Sequence, residues 1–309
     1  MRVATWNVNS LKARQEKVEG WLARAAPDVL LIQETKLSDE DAPAMAFAMA
    51  GYDLVHHGEG RWNGVAIAIR QGLGAGDVVT NFGDGQVRDS GPGADVAVGE
   101  EDFDPSDEAR MVSALVDPAG TVGGPLRVVC LYAPNGRVVG SAFFEGKLRW
   151  FARLERWLRE TRDPDEPLVL GGDLNIAPTD DDVWDPAAVH GGTHVSPTER
   201  VAFQRLLDWG LVDAYRQRNP DLGRFTWWDY RAGNFHKNLG MRIDHLLVTQ
   251  PLVARIVWSE IDREARKGPP IPSDHAPLVV DLDSPGSPFD PDWTGALSRI
   301  AARTRPARR

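Results

Sequence analysis

An aspartate and an asparagine two positions apart, Asp173 and Asn175, follow a short apolar run and two glycines in LGGDLNIAP, residues 170–178. The run predicts a short buried strand with a turn directly after it. Because positions i and i+2 of an extended chain point the same way, the carboxylate and the amide would face a common target. The alternative is an ordinary turn, since Asp and Asn side chains also hydrogen-bond to the backbone of loops.

Other polar side chains stand where predicted apolar strands begin or end. Each alone has an ordinary explanation as a turn residue, a helix-start charge, a strand cap or a half-buried histidine. Together they would gather where loops meet at one rim of a sheet, and oxygen ligands of this kind suit Mg²⁺ or Mn²⁺. A single histidine without cysteines does not resemble a zinc site, which gathers several nitrogen or sulfur ligands. These residues are Asn7, Glu34, Tyr132, Asp244, Asp274 and His275.

The elements that must position these side chains are strand-like runs with helical patterns between some of them. Helices are predicted at Leu11–Ala25, along a stripe from Phe144 to Leu158, and over Thr198–Gly210 with Thr198 as the N-cap. From residue 111 onward strands often follow one another directly, which predicts an α/β sandwich with substantially antiparallel sheets. The predicted strands are Val3–Val8, Asp28–Gln33, Val65–Arg70, Met111–Val116, Leu126–Tyr132, Leu168–Leu170, Ile243–Val248 and Leu278–Leu282.

Composition restricts the class of protein. The chain has 309 residues, 42% of them hydrophobic and 26% charged, which are globular values. The single cysteine, Cys130, excludes an internal disulfide framework and is expected as a small buried core residue. The N-terminus has no apolar segment of the secretory type, and no apolar run approaches the length of a membrane span. These features predict a soluble protein of a reducing compartment, most simply the cytoplasm.

The net charge of −10 argues against a nucleic-acid partner when taken alone. The charges are unevenly distributed, however, so an acidic protein of this kind can still present a local basic surface. Acidic residues concentrate in 95–108 and 180–185, and basic residues concentrate in 12–17, 137–149, 216–242 and the C-terminal tail.

Two segments lack strand or helix patterns. Residues 72–109 are rich in Gly and Asp and predict a long acidic loop insertion. Residues 284–309 are rich in Pro and Arg and predict a mobile C-terminal tail. The remaining chain, residues 1–283, is expected to form one catalytic domain that carries the loop insertion.

An ordered series of motifs resembles the exodeoxyribonuclease III family, the bacterial abasic-site endonuclease branch of the endonuclease/exonuclease/phosphatase superfamily. The resemblance spans residues 1–283 and implies a DNase I-like fold, a four-layer α/β sandwich of two packed mixed sheets flanked by helices. It also implies hydrolysis of a phosphodiester by in-line attack of water, with Mg²⁺ or Mn²⁺ as cofactor. The motifs are WNVNSLKAR (6–14), IQETKL (32–37), LYAPNG (131–136), GGDLNIAP (171–178), FTWWDYR (225–231), MRIDHLLVT (241–249) and SDHAPL (273–278).

The resemblance implies a role for each polar residue at the strand ends. Glu34 with Asn7 would hold the metal, and Asp274 would help from a distant strand. Asp173, Asn175 and His275 complete the set of candidate metal ligands.

The same resemblance implies proton-transfer roles. Asp173 would be the general base, and Asn175 would orient the water or stabilise the pentavalent state. Asp244 would hydrogen-bond one nitrogen of His275 so that the other nitrogen donates to a phosphoryl oxygen, and Tyr132 would stabilise the leaving oxygen or the phosphate. Asp173 and His275 can exchange these assignments.

Substrate choice is expected in residues 225–243. Trp227, Met241 and Ile243 would form an apolar pocket for a sugar that lacks its base, although Trp227 fits core packing equally well. Trp228 is expected in the core. Surface cations would contact DNA phosphates, and each is equally well explained as a solvated charge. The candidates are Arg137, Lys147, Arg224, Arg231, Lys237 and Arg242.

The expected function is metal-dependent hydrolysis on the 5′ side of abasic sites in double-stranded DNA, giving a 3′-OH, with 3′→5′ exonuclease and 3′-phosphatase activity. The expected partner is double-stranded DNA with abasic sites or 3′ ends, bound by a monomer without membrane association. Two alternatives remain open. One is a phosphatase of the same superfamily acting on a lipid or inositol phosphate, and the other is a DNA-binding protein without catalysis.

Overall fold

The computed structural model of the chain describes residues 1–82, 103–117, 119–120, 124–220 and 224–289. Over these ranges the backbone forms two six-stranded sheets. The strands are β1 (Arg2–Asn7), β2 (Val29–Gln33), β3 (Tyr52–His57), β4 (Val65–Arg70), β5 (Ala75–Thr80), β6 (Met111–Val116), β7 (Leu126–Tyr132), β8 (Leu168–Asp173), β9 (Leu211–Asp213), β10 (Asp244–Thr249), β11 (Ile256–Ile261) and β12 (Leu278–Leu282).

The two sheets have the same mixed character. The first sheet has the strand order β11-β12-β1-β2-β4-β3, and the second has the order β5-β6-β7-β8-β10-β9. Each contains one parallel pair, β1 with β2 and β7 with β8, and the other pairs of both sheets are antiparallel. The predicted α/β sandwich with largely antiparallel sheets is confirmed.

Helices cover the outer face of each sheet and complete the four layers. Trp21 and Leu22 of the first long helix pack with Trp6 of β1, whereas Phe151 and Leu154 of the third pack with the outer residues of β8. The helices are α1 (Leu11–Ala25), α2 (Ala44–Met49), α3 (Ala142–Thr161), α4 (Pro186–Val189), α5 (Pro197–Trp209), α6 (Ala214–Arg218), α7 (Asn234–Lys237) and α8 (Gln250–Val253). Within the described ranges, none is both long enough and apolar enough to cross a bilayer.

The core between the sheets follows the two-residue alternation of strands. Val3 of β1, Val169 of β8 and Leu246 of β10 face each other across the sandwich, together with Val128 and Cys130 of β7. Cys130 is buried, as predicted, and burial raises the pKa of its thiol to about 12. Because alternate residues share a face, the same inner rows continue to the rim of the sheets. The rim positions of these rows are polar, and they build the site described below.

The two glycines at the end of β8 allow the strand to approach its neighbours closely. A methyl group on Gly171 would lie 2.8 Å from a side-chain carbon of Leu31 in the opposite sheet. A methyl group on Gly172, whose φ is +149°, would lie 1.8 Å from the carbonyl oxygen of Leu131 in β7. The glycines therefore set the spacing that brings Asp173 against both β7 and the first sheet.

Replacing Gly172 with alanine is expected to lower the free energy of unfolding by about 3 kcal/mol or more, because a backbone clash adds to an unfavourable φ. Chemical denaturation with matched denaturant slopes measures this loss. Gly20→Ala is the control, since Gly20 is an exposed position of α1 and nothing lies within 4 Å of a methyl group there. Alanine should stabilise the helix at this position by up to ~1 kcal/mol. Unchanged stability of Gly172→Ala would contradict the close packing of β8.

Two sequence predictions need correction. The loop predicted over 72–109 is wrong for Ala75–Thr80, which forms β5 at the edge of the second sheet, and for Pro105–Asp107, which forms a 3₁₀ turn. Residues 83–102 of that segment lie outside the described residues. The N-cap of α5 is Ser196 rather than Thr198, because Ser196 and Glu199 form a capping box around Pro197.

The first residues of the predicted C-terminal tail form contacts with the domain. The amide of Gly286 donates to Asp281 over 2.6 Å, and the amide of Phe289 donates to Glu260 over 3.0 Å. The ring of Phe289 also packs 6.0 Å from that of Trp21. Residues 284–289 therefore contact the domain, the mobility of the tail stays a prediction, and residues 290–309 lie outside the described part of the chain.

Candidate active site

The amide of Asn7 joins the two sheets at their common rim. Its Nδ2 donates to Oε1 of Glu34 over 2.8 Å and to Oδ2 of Asp173 over 2.9 Å. Asn7 ends β1 in the first sheet, Glu34 directly follows β2, and Asp173 ends β8 in the second sheet. The inner rows of β1 and β8, with the residue that follows β2, therefore bring together side chains that are up to 166 positions apart in the chain.

A buried histidine lies between two carboxylates. Nδ1 of His275 is 2.8 Å from Oδ2 of Asp244, and its Nε2 is 3.7 Å from Oδ2 of Asp173. Burial alone would lower the pKa of His275, but Asp244 and Asp173 outweigh it and raise the pKa to about 10. The ring is therefore protonated at neutral pH, so both nitrogens carry hydrogen and the ring acts as a donor.

Asp173 faces a second carboxylate across the sheet. It pairs with Asp244 of β10 on one side and with Tyr132 of β7 on the other. Burial raises the pKa of Asp173, the positive charge of His275 opposes this, and the nearby Asp244 adds to it, which leaves the pKa at about 7. Such a carboxylate can take up or release a proton near physiological pH.

Tyr132 lies between the carboxylate of Glu34 and the guanidinium group of Arg110. Burial and the neighbouring Glu34 carboxylate raise the pKa of its phenol well above the usual value. The guanidinium of Arg110 lies 4.7 Å from the centre of the Tyr132 ring, and Arg110 also donates to the Tyr132 carbonyl oxygen over 3.2 Å. Tyr132 is therefore a neutral hydroxyl donor in a fixed orientation.

Asn175 is fixed beside Asp173 by its own backbone and side chain. Its amide nitrogen donates to Oδ1 of Asp173 over 2.9 Å, so the turn predicted for this motif is present. Its Nδ2 donates to the Ala133 carbonyl oxygen over 3.0 Å, and its φ is +52°. The turn and the functional interpretation are thus compatible, because the turn holds Asn175 directly beside the Asp173 carboxylate at the end of β8.

Asp274 lies at the edge of this group and its two oxygens are engaged. Oδ1 accepts from Nδ2 of Asn9 over 3.0 Å, and Oδ2 accepts from the indole nitrogen of Trp227 over 3.1 Å. The indole bond links the carboxylates to the predicted pocket, because Trp227 also pairs with Met241 and with His275 through isolated bridges.

The donor set suits a hard divalent cation. Carboxylate oxygens of Asp173 and Asp244 lie within 4.8 Å of each other beside His275, and Oδ1 of Asp244 is buried without a hydrogen-bond partner among the described residues. Glu34 is bound to the same Asn7 amide as Asp173 and supplies another carboxylate. Carboxylate and amide oxygens at one rim fit Mg²⁺ or Mn²⁺ in preference to zinc.

The residues predicted to form an apolar pocket lie together in one small cluster that is partly buried. Ile243 belongs to a small apolar cluster with Val183 and Val195, and Trp227 and Met241 are partly buried against it. Trp228 is 1% exposed and packs at right angles to Phe235, which confirms its predicted place in the core. Trp227 thus retains an accessible face, whereas its neighbour does not.

Comparison with known proteins assigns the family. The Endonuclease/Exonuclease/phosphatase family is matched over residues 4–275. The chain belongs to this family. It is 31% identical to exodeoxyribonuclease III of Haemophilus influenzae, and the similarity covers 91% of this chain and 100% of that protein. The resemblance seen in the motifs is confirmed.

Two solved structures of family members are similar over the same extent. One is a 3′ phosphatase, NExo, from Neisseria bound to a product DNA hairpin, with a TM-score of 0.79 and 37% identity. The other is an AP endonuclease from Archaeoglobus fulgidus, with a TM-score of 0.79 and 33% identity. Each similarity covers 92% of this chain and 100% of the other. The DNase I-like arrangement predicted for the family fold is thereby confirmed.

The cations predicted to contact phosphates divide into two groups. One group is exposed at the surface, where a contact with a DNA phosphate is possible, and comprises Arg137, Arg231 and Lys237. The same prediction is wrong for Lys147, Arg224 and Arg242, which are buried. Arg242 binds Asp182 and Asp213 over 2.7 Å each, and Lys147 pairs with Glu199. A buried, paired cation cannot reach a phosphate on the surface.

Sequence analysis missed several residues that organise this family site. Asn9, Arg110, His194 and Glu199 each touch a predicted site residue or its loop. For Glu199, the pattern Ser-x-x-Glu before an apolar helix was an available signal. For Lys147, the signal was its position on the buried stripe of α3 between Phe144 and Phe151.

Proposed function

We propose that the protein is a divalent-metal-dependent DNA-repair nuclease. It hydrolyses the phosphodiester on the 5′ side of an abasic site in double-stranded DNA, leaves a 3′-OH, and acts at 3′ ends as an exonuclease and a phosphatase. The observation that carries the proposal is the buried chain Asp244–His275–Asp173, joined through Asn7 to Glu34. The names of its relatives as exodeoxyribonuclease III and AP endonuclease support a DNA substrate.

In the proposed reaction, Asp173 accepts the proton of the attacking water. Burial raises the pKa of this carboxylate, which makes it a stronger proton acceptor than an exposed aspartate. Asn175 holds the water or the transferring phosphoryl group from the adjacent turn position. The alternative assigns the base to His275, and its raised pKa of about 10 argues against this because a protonated ring has no free lone pair.

His275 and Tyr132 act as donors in this proposal. Asp244 binds Nδ1 of His275 and keeps the ring charged, so that Nε2–H can donate to a phosphoryl oxygen as negative charge develops there. The neutral phenol of Tyr132 stabilises the leaving oxygen or the phosphate. This role for His275 replaces metal coordination, because the carboxylates already occupy the neighbourhood of both its nitrogens.

Glu34 and Asn7, with the carboxylates of Asp173 and Asp274, would hold Mg²⁺ or Mn²⁺. When bound, the ion supplies positive charge that neutralises the phosphate and lowers the pKa of a coordinated water. The exposed cations Arg137, Arg231 and Lys237 would contact the DNA backbone on either side. The monomeric state and the cytoplasmic location remain predictions.

A labelled DNA duplex with a single abasic analogue tests the function directly. We expect a nick on the 5′ side of the analogue with Mg²⁺ present and none after chelation. The matched control for DNA is the same duplex with an intact nucleotide in place of the analogue. An inositol phosphate is offered as the competing substrate in a parallel reaction. Phosphate release from the inositol phosphate without nicking would favour the rival phosphatase, and DNA binding without either reaction would favour a non-catalytic protein.

Replacing Trp227 with alanine is expected to reduce the preference for abasic over intact duplex by about 10-fold, because a half-buried pocket wall is removed while little core packing is lost. Parallel cleavage rates on the two duplexes measure the preference. Trp228→Ala is the matched control and should instead lose about 3–5 kcal/mol of stability, since that ring is buried. A large drop in the melting temperature of Trp227→Ala with an unchanged preference for abasic duplex would mean that Trp227 serves core packing and not substrate choice.

A further inference from the structure

A charged pair is buried behind the candidate active site. Lys147 of α3 and Glu199 of α5 are both fully buried, and Nζ of Lys147 lies 2.5 Å from Oε1 of Glu199. The ammonium group also donates to the carbonyl oxygen of Asn175 over 2.7 Å and to that of Asn135 over 3.3 Å. These four groups connect the outer helix layer to two loops at the rim.

Each of the two loops carries residues assigned above to the reaction. The first starts directly after Asp173, the last residue of β8, and contains Asn175, and the second runs from β7 to α3 and contains the exposed Arg137. The side chains of Asn135 and Asn175 also meet, with Nδ2 of Asn135 3.3 Å from Oδ1 of Asn175. The ammonium group therefore contacts the backbone of both loops at once.

A histidine reinforces the contact at Asn175. Burial and the charge of Lys147 lower the pKa of His194 to about 4, so the ring is neutral at physiological pH. Its Nδ1–H donates to the carbonyl oxygen of Asn175 over 2.6 Å. The backbone of His194 is held in turn by Glu199, which accepts from the His194 amide over 2.9 Å. The Asn175 carbonyl thus receives two donors that both depend on Glu199.

Stability alone does not explain a charged pair at this position. Buried ion pairs can often be replaced by apolar groups of similar size without loss of stability, because desolvation offsets the attraction. The carbonyl group of the buried Asn175, by contrast, needs hydrogen-bond partners in fixed positions, because a buried acceptor without a donor is costly. The directional donors supply those partners where the loop carries the proposed base.

We propose that Lys147 is a positioning residue for the proposed nuclease reaction, and the inference rests on that function. Its ammonium group, held by Glu199, fixes the carbonyls of Asn175 and Asn135 and so aligns the loop of Asp173 with the loop of Arg137. Lys147 itself touches neither DNA nor the reacting atoms. Its removal should change the rate of the chemical step more than the binding of DNA, because the shorter hydrogen bond is to the loop of the base.

The test compares neutralised pairs in the full chain. The test variant is Lys147→Met with Glu199→Gln, which removes both charges and keeps similar side-chain volumes. The control variant is Arg2→Met with Asp281→Asn, which removes both charges of a buried pair at the end of β1 that is remote from the site. Single-turnover cleavage of the abasic duplex in Mg²⁺ gives the rate, and binding to the same duplex in EDTA gives the affinity. We expect the first variant to cleave about 10-fold to 100-fold more slowly with affinity within about 3-fold, and the control to cleave within about 2-fold of wild type.

A second variant keeps the proposal testable if the first does not fold. Lys147→Gln with Glu199→Gln retains an amide donor that is shorter than the lysine, and it should cleave about 3-fold to 10-fold more slowly than wild type. A folded variant of either kind that cleaves within about 2-fold of wild type would overturn the positioning role, as would an equal loss in the Arg2 control. Failure of the wild-type protein to cleave would instead refute the proposed function.

Discussion

Turnover of the abasic duplex by Asp173→Asn is expected to fall by about 10²-fold to 10⁴-fold, the usual contribution of a positioned general base. The substitution preserves the size of the side chain and leaves an oxygen that can accept from the Asn175 amide, as Oδ1 of Asp173 does over 2.9 Å. It removes the lone pair that would take the proton. Turnover at saturating Mg²⁺ and substrate measures the effect.

The same variant should bind DNA as tightly as wild type or more tightly, because a negative charge beside the scissile phosphate has been removed. Asp163→Asn is a matched control, since Asp163 accepts from the Asp165 amide over 2.9 Å in the same kind of turn on the surface. Turnover of Asp173→Asn within a few-fold of wild type would mean that Asp173 only stabilises the turn and is not the general base. The base would then have to be sought at His275.

Glu34→Ala should abolish activity at ordinary Mg²⁺ concentrations while the fold stays intact. The substitution deletes a hard carboxylate ligand that is anchored to the Asn7 amide at 2.8 Å, and the remaining carboxylates bind a cation more weakly. A titration of turnover against Mg²⁺ measures the shift, and partial recovery is expected at high Mg²⁺.

Glu16→Ala is the control for general loss of negative charge, because Glu16 is exposed on α1 away from the rim. Its Mg²⁺ dependence should match that of wild type. Turnover near the wild-type level by Glu34→Ala at low Mg²⁺ would mean that Glu34 is not the main ligand. In that case Asp244, whose Oδ1 has no partner among the described residues, would be the next carboxylate to test.

The strands that sequence analysis predicted and those that it missed differ in their position. β3, β5, β9 and β11 were missed, and these are the four edge strands of the two sheets. Edge strands bury less of their surface, as in the largely exposed β5, so their apolar signal is weak. The interior strands are buried on both faces and carry long apolar runs that a sequence reveals.

The rim residues could be predicted because the chemistry of a metal site restricts residue types and places them at strand ends. The buried cations could not, because burial depends on partners that are distant in the chain. Lys147 is 52 positions from Glu199, and Arg242 is 60 positions from Asp182. A cation on its own predicts a solvated surface, and only the fold reveals the carboxylate that allows it to be buried.

The order in which the chain visits its two sheets has a consequence for its biogenesis. The first sheet is begun by β1 to β4, interrupted by all of the second sheet, and finished by β11 and β12, so β1 lies between β2 and the last strand. At about 5–20 residues per second, a ribosome needs roughly 13–54 s to travel from Asn7 to His275. During that interval the nascent chain lacks the histidine and Asp274. If these residues have the proposed roles, the hydrolytic centre is complete only when synthesis is nearly finished, and we expect translation products that end before Asp274 not to cut DNA.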